Sequence, residues 1–215
     1  MPVAAKICGV KTPDAIAAAV DGGAGFIGFN FFAKSPRSLA PEEAGALGLA
    51  VPSRVMKVGL LVDDGDERIA AILNAAPLDM LQLHGGEAPE RAAAIKTRFG
   101  LPVMKVIKVR TAADIDLAKN YRTVADWLLF DAQPPAAMAN ALPGGNAVSF
   151  DWSLLSDRRF ELPWMLSGGL TAENLAEAVR ISGARTVDVS SGVEDRPGVK
   201  NPSKIKAFLD AARAL

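Results

Sequence analysis

Eight short apolar segments recur along the chain, and this repetition constrains the fold more than any other feature. They are rich in Val, Ile, Leu and Phe and occupy residues 3–7, 25–29, 55–61, 78–83, 103–107, 127–130, 162–166 and 186–189. Each is continuously apolar rather than alternating, a pattern typical of parallel strands that are covered on both faces. The segments therefore predict eight buried strands.

Alanine-rich segments with helical periodicity lie between these strands, at residues 13–21, 41–49, 67–75, 89–99, 113–120, 172–181 and 202–214. Proline stands at or near the predicted start of several, as in Asn201-Pro202, which is typical of a first helical turn. The polar run Thr171-Ala172-Glu173-Asn174 predicts the capped start of the sixth of these helices. Strands that alternate with helices pair in parallel through right-handed crossovers.

The number of units separates the two architectures that this alternation allows. Eight units in 215 residues average about 27 residues, which is what one strand, one helix and two short loops require. We expect a single (β/α)8 barrel over residues 1–215, with a doubly wound open sheet as the alternative. Surplus residues should lie in the loops 30–40 and 132–151, and the second has the composition of either a mobile lid or a plain surface loop.

Composition and charge exclude several classes of protein. Lys plus Arg and Asp plus Glu number 24 each, and zero net charge argues against broad nucleic-acid or anionic-membrane binding. No stretch approaches roughly 18 consecutive apolar residues, and residues 1–6 do not resemble a signal peptide. One Cys excludes an intramolecular disulfide, and one His excludes a three-His zinc site. We expect a cytoplasmic enzyme whose reaction needs no metal.

Two polar side chains stand at the predicted carboxyl ends of strands, where barrel enzymes carry their catalytic groups. Cys8 ends the first strand in Lys6-Ile7-Cys8-Gly9, and Asp131 ends the sixth after Leu128-Leu129-Phe130. Taken singly, each residue has a plain alternative: Cys8 as an inert core cysteine, and Asp131 as a capping aspartate. Together at one end of a barrel, they are suited to act as a base and an acid.

Glycine-rich turns follow the seventh and eighth predicted strands. These turns, Ser167-Gly168-Gly169 and Ser190-Ser191-Gly192, are either ordinary turns or a phosphate site built from backbone N–H groups. Arg37, in the long second loop, is suited to hold a carboxylate through two parallel hydrogen bonds, or is a plain exposed arginine. Gln82 and His84 alternate with Leu83 and should point to one side of the sheet, whether as site lining or as structure.

A segment that matches GxGxxG, residues 23–28, is not interpreted as a nucleotide site. The dinucleotide fingerprint needs a strand before the glycines and a helix after them. Here the predicted helix comes first and the predicted strand follows. We therefore expect a helix stop and a tight turn.

Read together, the motifs resemble those of the phosphoribosylanthranilate isomerase family of tryptophan biosynthesis. The matching residues occur in family order from residue 6 to about 200: Lys6-Ile7-Cys8-Gly9, Phe29 with Pro36-Arg37, Gln82-Leu83-His84-Gly85, Leu129-Phe130-Asp131-Ala132, Pro143-Gly144-Gly145, Phe150-Asp151-Trp152, Ser167-Gly168-Gly169-Leu170 and Asp188-Val189-Ser190-Ser191-Gly192-Val193-Glu194. The resemblance implies a (β/α)8 barrel without a cofactor. It also implies the Amadori rearrangement of N-(5-phosphoribosyl)anthranilate to 1-(2-carboxyphenylamino)-1-deoxyribulose 5-phosphate.

The resemblance also implies roles for individual residues. Cys8 matches the general base, Asp131 the general acid, and Arg37 the residue that holds the anthranilate carboxylate. Gln82, His84 and Asp188 match positions that line the substrate pocket. The phosphate cradle is matched by the backbone of Gly168, Gly169, Ser190, Ser191 and Gly192.

The chain departs from the family pattern at two places. Ala147 stands near a position where another Gly is expected, and Gln133 stands where Lys is common. Both departures concern the predicted lid rather than the chemical groups.

The resemblance implies a small phosphorylated substrate as the partner. We expect neither a nucleic acid nor a membrane as a partner, and we expect a monomer or a weak homodimer. Alternatives are another isomerase or lyase of the phosphate-binding barrels and a non-catalytic barrel that binds phosphate metabolites or a protein.

Overall fold

Eight parallel strands close into a barrel in the computed structural model, which describes residues 2–135 and 142–215. Each strand pairs with the next, and β8 returns to β1. The strands are β1 Ala4–Cys8, β2 Phe26–Asn30, β3 Met56–Leu61, β4 Met80–Leu83, β5 Val103–Val109, β6 Trp127–Ala132, β7 Trp164–Leu166 and β8 Thr186–Val189. The predicted (β/α)8 barrel is confirmed, and the open sheet is wrong.

The described residues contain seven α-helices: α1 Pro13–Asp21, α2 Pro41–Gly48, α3 Asp66–Ala75, α4 Pro89–Phe99, α5 Ala112–Asp116, α6 Leu175–Ser182 and α7 Pro202–Arg213. The bounds of α1 and α4 are those predicted, because Pro at the first turn fixes the start of each. After α5 the chain continues as a 3-10 helix, Leu117–Tyr121. A short hairpin of β9, Glu194–Arg196, and β10, Val199–Lys200, follows the barrel. No helix in the described ranges is long and apolar enough to cross a membrane.

Two helix predictions need correction. Helix α6 begins at Leu175 rather than Ala172 because the Asn174 side chain accepts from the Thr171 N–H at 2.8 Å and donates to the Gly169 carbonyl at 2.9 Å. These bonds close a turn before the helix starts. The helix predicted over residues 113–120 is also shorter, because α5 ends at Asp116 and the chain continues as a 3-10 helix. The long connection from β6 to β7 holds a 3-10 turn, Trp152–Leu155, in its described part.

Side chains alternate across the barrel wall, and this alternation positions the site. Inward-facing side chains fill the lower barrel with a core separate from the helix-facing one, made of Phe26, Val58, Met80, Met104, Val106, Leu129 and Met165. Two residues further along their strands, Met80 is followed by Gln82 and Leu129 by Asp131. The periodicity that packs the interior therefore also points polar side chains into the mouth of the barrel.

The GxGxxG segment has the predicted order of helix, turn and strand. Gly22 ends α1, and Gly23 takes a left-handed conformation with φ of 85° on the way to β2. Gly28 faces the barrel interior. A Cβ there would lie 2.9 Å from the Cys8 sulfur and 3.1 Å from the Lys6 Nζ. The missing side chain therefore makes room for Cys8 and Lys6.

Candidate active site

A pocket opens at the carboxyl ends of the strands and brings most of the predicted site residues together. Its lining includes Cys8, Arg37, His84, Asp131, Gly168, Gly169, Asp188, Ser190 and Ser191. Gln82 lies behind this lining, fully buried, and contacts it through His84. Since β1 and β6 are separated by two strands on the shorter way round the barrel, Cys8 and Asp131 approach the pocket from different sides.

A buried ion pair lies beneath Cys8. Lys6 and Asp188 occupy the same register on β1 and β8, and the Lys6 Nζ donates to the Asp188 Oδ1 at 2.8 Å. The Ser167 hydroxyl donates to the other carboxylate oxygen at 2.9 Å. Burial by itself would lower the pKa of Lys6, but the negative charge of Asp188, joined by that of Cys8 when it is a thiolate, outweighs burial and raises it. Lys6 therefore stays a cation beside the thiol.

The Cys8 thiol is buried, and burial is the largest cause of the raised pKa of this group. The positive charge of Lys6 opposes that rise, whereas Asp188 adds to it. Because the free thiol already titrates above neutrality, Cys8 is mainly a thiol at pH 7. Lys6 is therefore the main group that favours the thiolate when Cys8 loses its proton.

Asp131 is held by a chain of side chains from β4. Its Oδ2 lies 3.2 Å from the His84 Nε2, and the His84 Nδ1 lies 2.9 Å from the Gln82 Nε2. The Asp131 Oδ1 accepts from the Ala132 N–H at 3.0 Å. With Asp131 as a carboxylate, this network assigns the imidazole proton to Nε2 and leaves Nδ1 as the acceptor from Gln82. Gln82 and His84 point to one side, as predicted, and both orient Asp131.

Arg37 is buried, with 4% of its surface exposed, so the alternative of an exposed solubilising arginine is wrong. Its Nε and Nη2 donate to the two carboxylate oxygens of Glu194 at 2.9 and 2.8 Å. The Nη2 also donates to the Gly145 carbonyl at 3.2 Å. The Arg37 N–H donates to the Ser35 hydroxyl at 3.2 Å, which fixes the backbone of the loop after β2. The guanidinium is therefore clamped at the pocket wall.

The two glycine-rich turns form another part of the lining. Gly168 and Gly169 are left-handed, with φ of 93° and 64°. Within residues 2–135 and 142–215, the N–H groups of Gly168, Gly169 and Ser191 donate to no protein acceptor. Gly192 does not line the pocket, and a Cβ there would meet the Leu170 carbonyl oxygen at 1.9 Å. Its small size lets the two turns pack together.

The predicted lid is described in part, since residues 136–141 lie outside the described ranges. Residues 142–148 line the pocket, and Asn146 closes this segment into a turn through hydrogen bonds of 3.0 and 2.7 Å with the Leu142 backbone. A Cβ on Gly144 would lie 2.6 Å from the His84 Nε2 and 2.9 Å from the Asp131 Oδ2. Ala147 has a φ of 55°, a conformation that favours glycine. This explains why glycine suits the family pattern here.

Sequence reasoning gave no role to Lys6, Glu194 or Lys200, although each makes a buried ion pair in the site. A signal existed for Lys6, because it lies two residues before Cys8 in an apolar strand and must share its face. Glu194 and Lys200 have no such signal, since they lie in a loop region without strand or helix periodicity and Arg37, the other partner of Glu194, is 157 positions away. Among the described residues, no three His, Cys, Asp or Glu side chains converge to hold a metal ion.

Comparison with known proteins agrees with this geometry. The family model described as N-(5'phosphoribosyl)anthranilate (PRA) isomerase matches residues 5–211. The N-(5'-phosphoribosyl)anthranilate isomerase of Paramagnetospirillum magneticum is 56% identical over 213 residues, which cover 99% of this chain and 98% of that protein.

Two solved structures superimpose on the barrel. Monomers of the dimeric phosphoribosylanthranilate isomerase of Thermotoga maritima match with a TM-score of 0.84 and 34% identity, covering 99% of this chain and 100% of that one. An isomerase in complex with reduced 1-(o-carboxyphenylamino)-1-deoxyribulose 5-phosphate matches with a TM-score of 0.83, 34% identity and the same coverage. The chain therefore belongs to the phosphoribosylanthranilate isomerase family.

Proposed function

We propose that Cys8 and Asp131 are the general base and general acid with which this chain performs the reaction of its family. That reaction, a step of tryptophan biosynthesis, converts N-(5-phosphoribosyl)anthranilate into 1-(2-carboxyphenylamino)-1-deoxyribulose 5-phosphate. The observation that carries the assignment is the placement of the Cys8 thiol and the Asp131 carboxyl on different sides of the same pocket. An aldose-to-ketose shift needs such a pair, because a proton is given to the sugar at one atom and removed at another.

The steps follow from the chemistry of the sugar. Asp131, in its protonated form, gives its proton to the ring oxygen, so the ring C1′–O bond breaks and the lone pair of the aniline nitrogen forms a protonated imine with C1′. Cys8, as thiolate, removes the C2′ proton, and the released electron pair forms the C1′–C2′ double bond while the C1′–N π pair returns to nitrogen, which gives a neutral enolamine. The C2′ hydroxyl then loses its proton and C1′ gains one, so C2′ becomes a ketone and is oxidised, whereas C1′ becomes an amine-bearing CH2 and is reduced. Cys8 returns its proton to solvent and Asp131 takes one up before the next turnover, so atoms and charge balance.

The remaining predicted residues bind or position. Arg37 would receive the anthranilate carboxylate, and the N–H groups of Gly168, Gly169 and Ser191 would receive the phosphate together with the Ser190 backbone. Gly192, which does not line the pocket, would only let the two turns pack together. Gln82 and His84 would orient Asp131 through the hydrogen bonds described above, and Asp188 would hold Lys6 beside Cys8.

The acid–base assignment is tested with Cys8→Ala and Asp131→Asn. Each variant should lose at least the ~100-fold of kcat that is typical of one acid or base. Thermal unfolding should stay close to that of the parent, since neither residue holds the barrel closed. A folded variant with near-normal kcat would remove that residue from the mechanism.

The binding assignments have separate tests. Arg37→Ala should raise KM more than it lowers kcat, by a loss of about 1.5–3 kcal/mol for a charge-assisted contact. An unchanged KM with a collapsed kcat would contradict the carboxylate role. A crystal grown in saturating phosphate should hold the anion at the two turns, and an anion bound only elsewhere would contradict the cradle.

We also propose that residues 1–215 act as one catalytic domain, as a monomer, in the cytoplasm. The large apolar side chains that are exposed in the described residues come from four separate parts of the chain, at Leu49, Leu117, Val199 and Leu215. One free cysteine fits a reducing compartment. Sedimentation at micromolar concentration tests the monomer, and a stable dimer would overturn it. Cell fractionation tests the location.

A further inference from the structure

Three buried charged side chains meet at the part of the pocket wall that Arg37 forms. Glu194 lies at the start of the β9–β10 hairpin and Lys200 at its end, and Arg37 comes from the loop after β2. One carboxylate serves both cations. The Glu194 Oε1 accepts from the Lys200 Nζ at 2.7 Å and from the Arg37 Nε at 2.9 Å, and the Oε2 accepts from the Arg37 Nη2 at 2.8 Å.

The charges of this triad, Arg37, Glu194 and Lys200, do not cancel. The three side chains are 4%, 3% and 2% exposed, so water screens them poorly. Burial by itself would raise the pKa of Glu194, but its bonds to Arg37 and Lys200 hold that pKa below the ordinary value. Burial lowers the pKa of Lys200, and Glu194 opposes that effect. The Lys200 Nζ nevertheless donates to three oxygens, those of the Glu194 carboxylate, the Ser190 carbonyl and the Ser190 hydroxyl, which is the bonding of an ammonium group. With Arg37 and Glu194 also ionised, the triad carries one net positive charge.

The uncompensated charge faces the pocket. Among the described residues, the Arg37 Nη1 donates to no acceptor, whereas its Nε and Nη2 are both bonded to Glu194. A Cβ on Gly145 would lie 2.4 Å from this Nη1, so the free nitrogen points toward the pocket-lining segment 142–148. An anionic group of the ligand would be the missing partner.

We propose that Lys200 is a positioning residue that shares Glu194 with Arg37 and so keeps the carboxylate site positively charged. Without Lys200, Glu194 would hold Arg37 in place but also neutralise it, and a ligand carboxylate would gain little. With Lys200, Glu194 fixes the guanidinium while one positive charge is left over for the ligand. This inference rests on the proposed role of Arg37.

Lys200 is itself anchored to the catalytic side of the barrel. Its Nζ donates to the Ser190 carbonyl at 2.9 Å and contacts the Ser190 hydroxyl at 3.2 Å, and that hydroxyl donates to the Cys8 carbonyl at 3.1 Å. The charge of Lys200 also acts weakly on the Cys8 thiol. A change in kcat would therefore be ambiguous, and the decisive measurement is equilibrium binding.

The test compares two ligands by calorimetry: reduced 1-(o-carboxyphenylamino)-1-deoxyribulose 5-phosphate and the same compound without its carboxyl group. Lys200→Met should weaken binding of the first about tenfold, as expected for loss of a buried charge that faces an anion. It should change binding of the second less than twofold, within ordinary variant scatter. A loss that is equal for both ligands, or no loss for either, would overturn the proposal.

A matched control and a second variant separate charge from packing. Lys204, whose Nζ binds the Glu194 carbonyl at 2.8 Å, is about half exposed, so Lys204→Met should leave both affinities unchanged. Adding Glu194→Gln to Lys200→Met restores one net positive charge. The double variant should therefore bind the carboxylated ligand more tightly than Lys200→Met alone. Weaker binding would indicate a packing role and refute the charge argument.

The same ligands show which assignment fails. If Arg37→Ala loses affinity only for the carboxylated ligand while Lys200→Met does not, Arg37 keeps its role and the inference about Lys200 is wrong. If Arg37→Ala affects both ligands equally, the proposed carboxylate site itself is wrong.

Discussion

Replacing Gly9 by Ala tests how tightly the first motif is packed against Arg37. Gly9 has a φ of 74°, which disfavours a side chain. A Cβ there would also lie 2.8 Å from the Arg37 Cδ, 3.1 Å from its Cβ and 3.2 Å from its Cγ. Glu194 holds the far end of Arg37, so the side chain cannot simply swing away.

The magnitude follows from two separate costs. The left-handed conformation costs an alanine about 1–2 kcal/mol. Overpacking against a clamped side chain adds about 1–3 kcal/mol. Gly183→Ala is the matched control, because Gly183 has a φ of 73° and a Cβ there would meet nothing within 4 Å. Gly183→Ala should therefore show only the cost of the left-handed conformation.

Thermal unfolding and steady-state kinetics provide the assay. At about 2–4 °C per kcal/mol for a chain of this size, Gly183→Ala should lower Tm by roughly 2–8 °C and Gly9→Ala by roughly 4–20 °C. Gly9→Ala should also raise KM, because Arg37 must shift, whereas Gly183→Ala should leave KM unchanged. Equal Tm losses for the two variants together with an unchanged KM would refute the packing argument.

Three further predictions concern buried charge and backbone strain. Lys6→Met should destabilise the fold by about 3–5 kcal/mol, since Asp188 loses its cation. It should also move the rise of kcat with pH to higher pH, because the positive charge that favours the Cys8 thiolate is lost. Lys6→Met combined with Asp188→Asn should recover most of the lost Tm. Burial by itself would raise the pKa of Glu87, but Lys105 and backbone N–H groups hold that pKa below 4.5. The Glu87 carboxylate therefore stabilises the fold above pH 4.5, and this stabilisation is lost as pH falls through the pKa of Glu87 in the folded state. The Tm difference between the parent and Glu87→Gln should therefore shrink below pH 4.5, and a difference constant with pH would contradict the ion pair. Ala147→Gly should relieve a left-handed alanine and raise Tm slightly, by the equivalent of at most about 1 kcal/mol, and a clear loss of Tm would show that Ala147 is not strained.

Much of the architecture could be predicted because it depends on local periodicity. Runs of apolar residues indicated the strands, Pro at the first turn indicated helix starts, and the count of units indicated a closed barrel. The same reasoning placed Cys8 and Asp131 at one end of the barrel. It failed at α6, where the Asn174 side chain turns back on the chain, and after α5, where the chain continues as a 3-10 helix.

The sequence by itself determined the order and type of most elements and which strand ends carry polar side chains, because these depend on residues a few positions apart. Only the tertiary structure decided the charge state and orientation of the site. Lys6 meets Asp188 across 182 positions, and Arg37 meets Glu194 across 157. Such pairs leave no periodic signal, since barrel closure alone brings them within hydrogen-bond distance. Burial then makes their charges matter, because water no longer screens them.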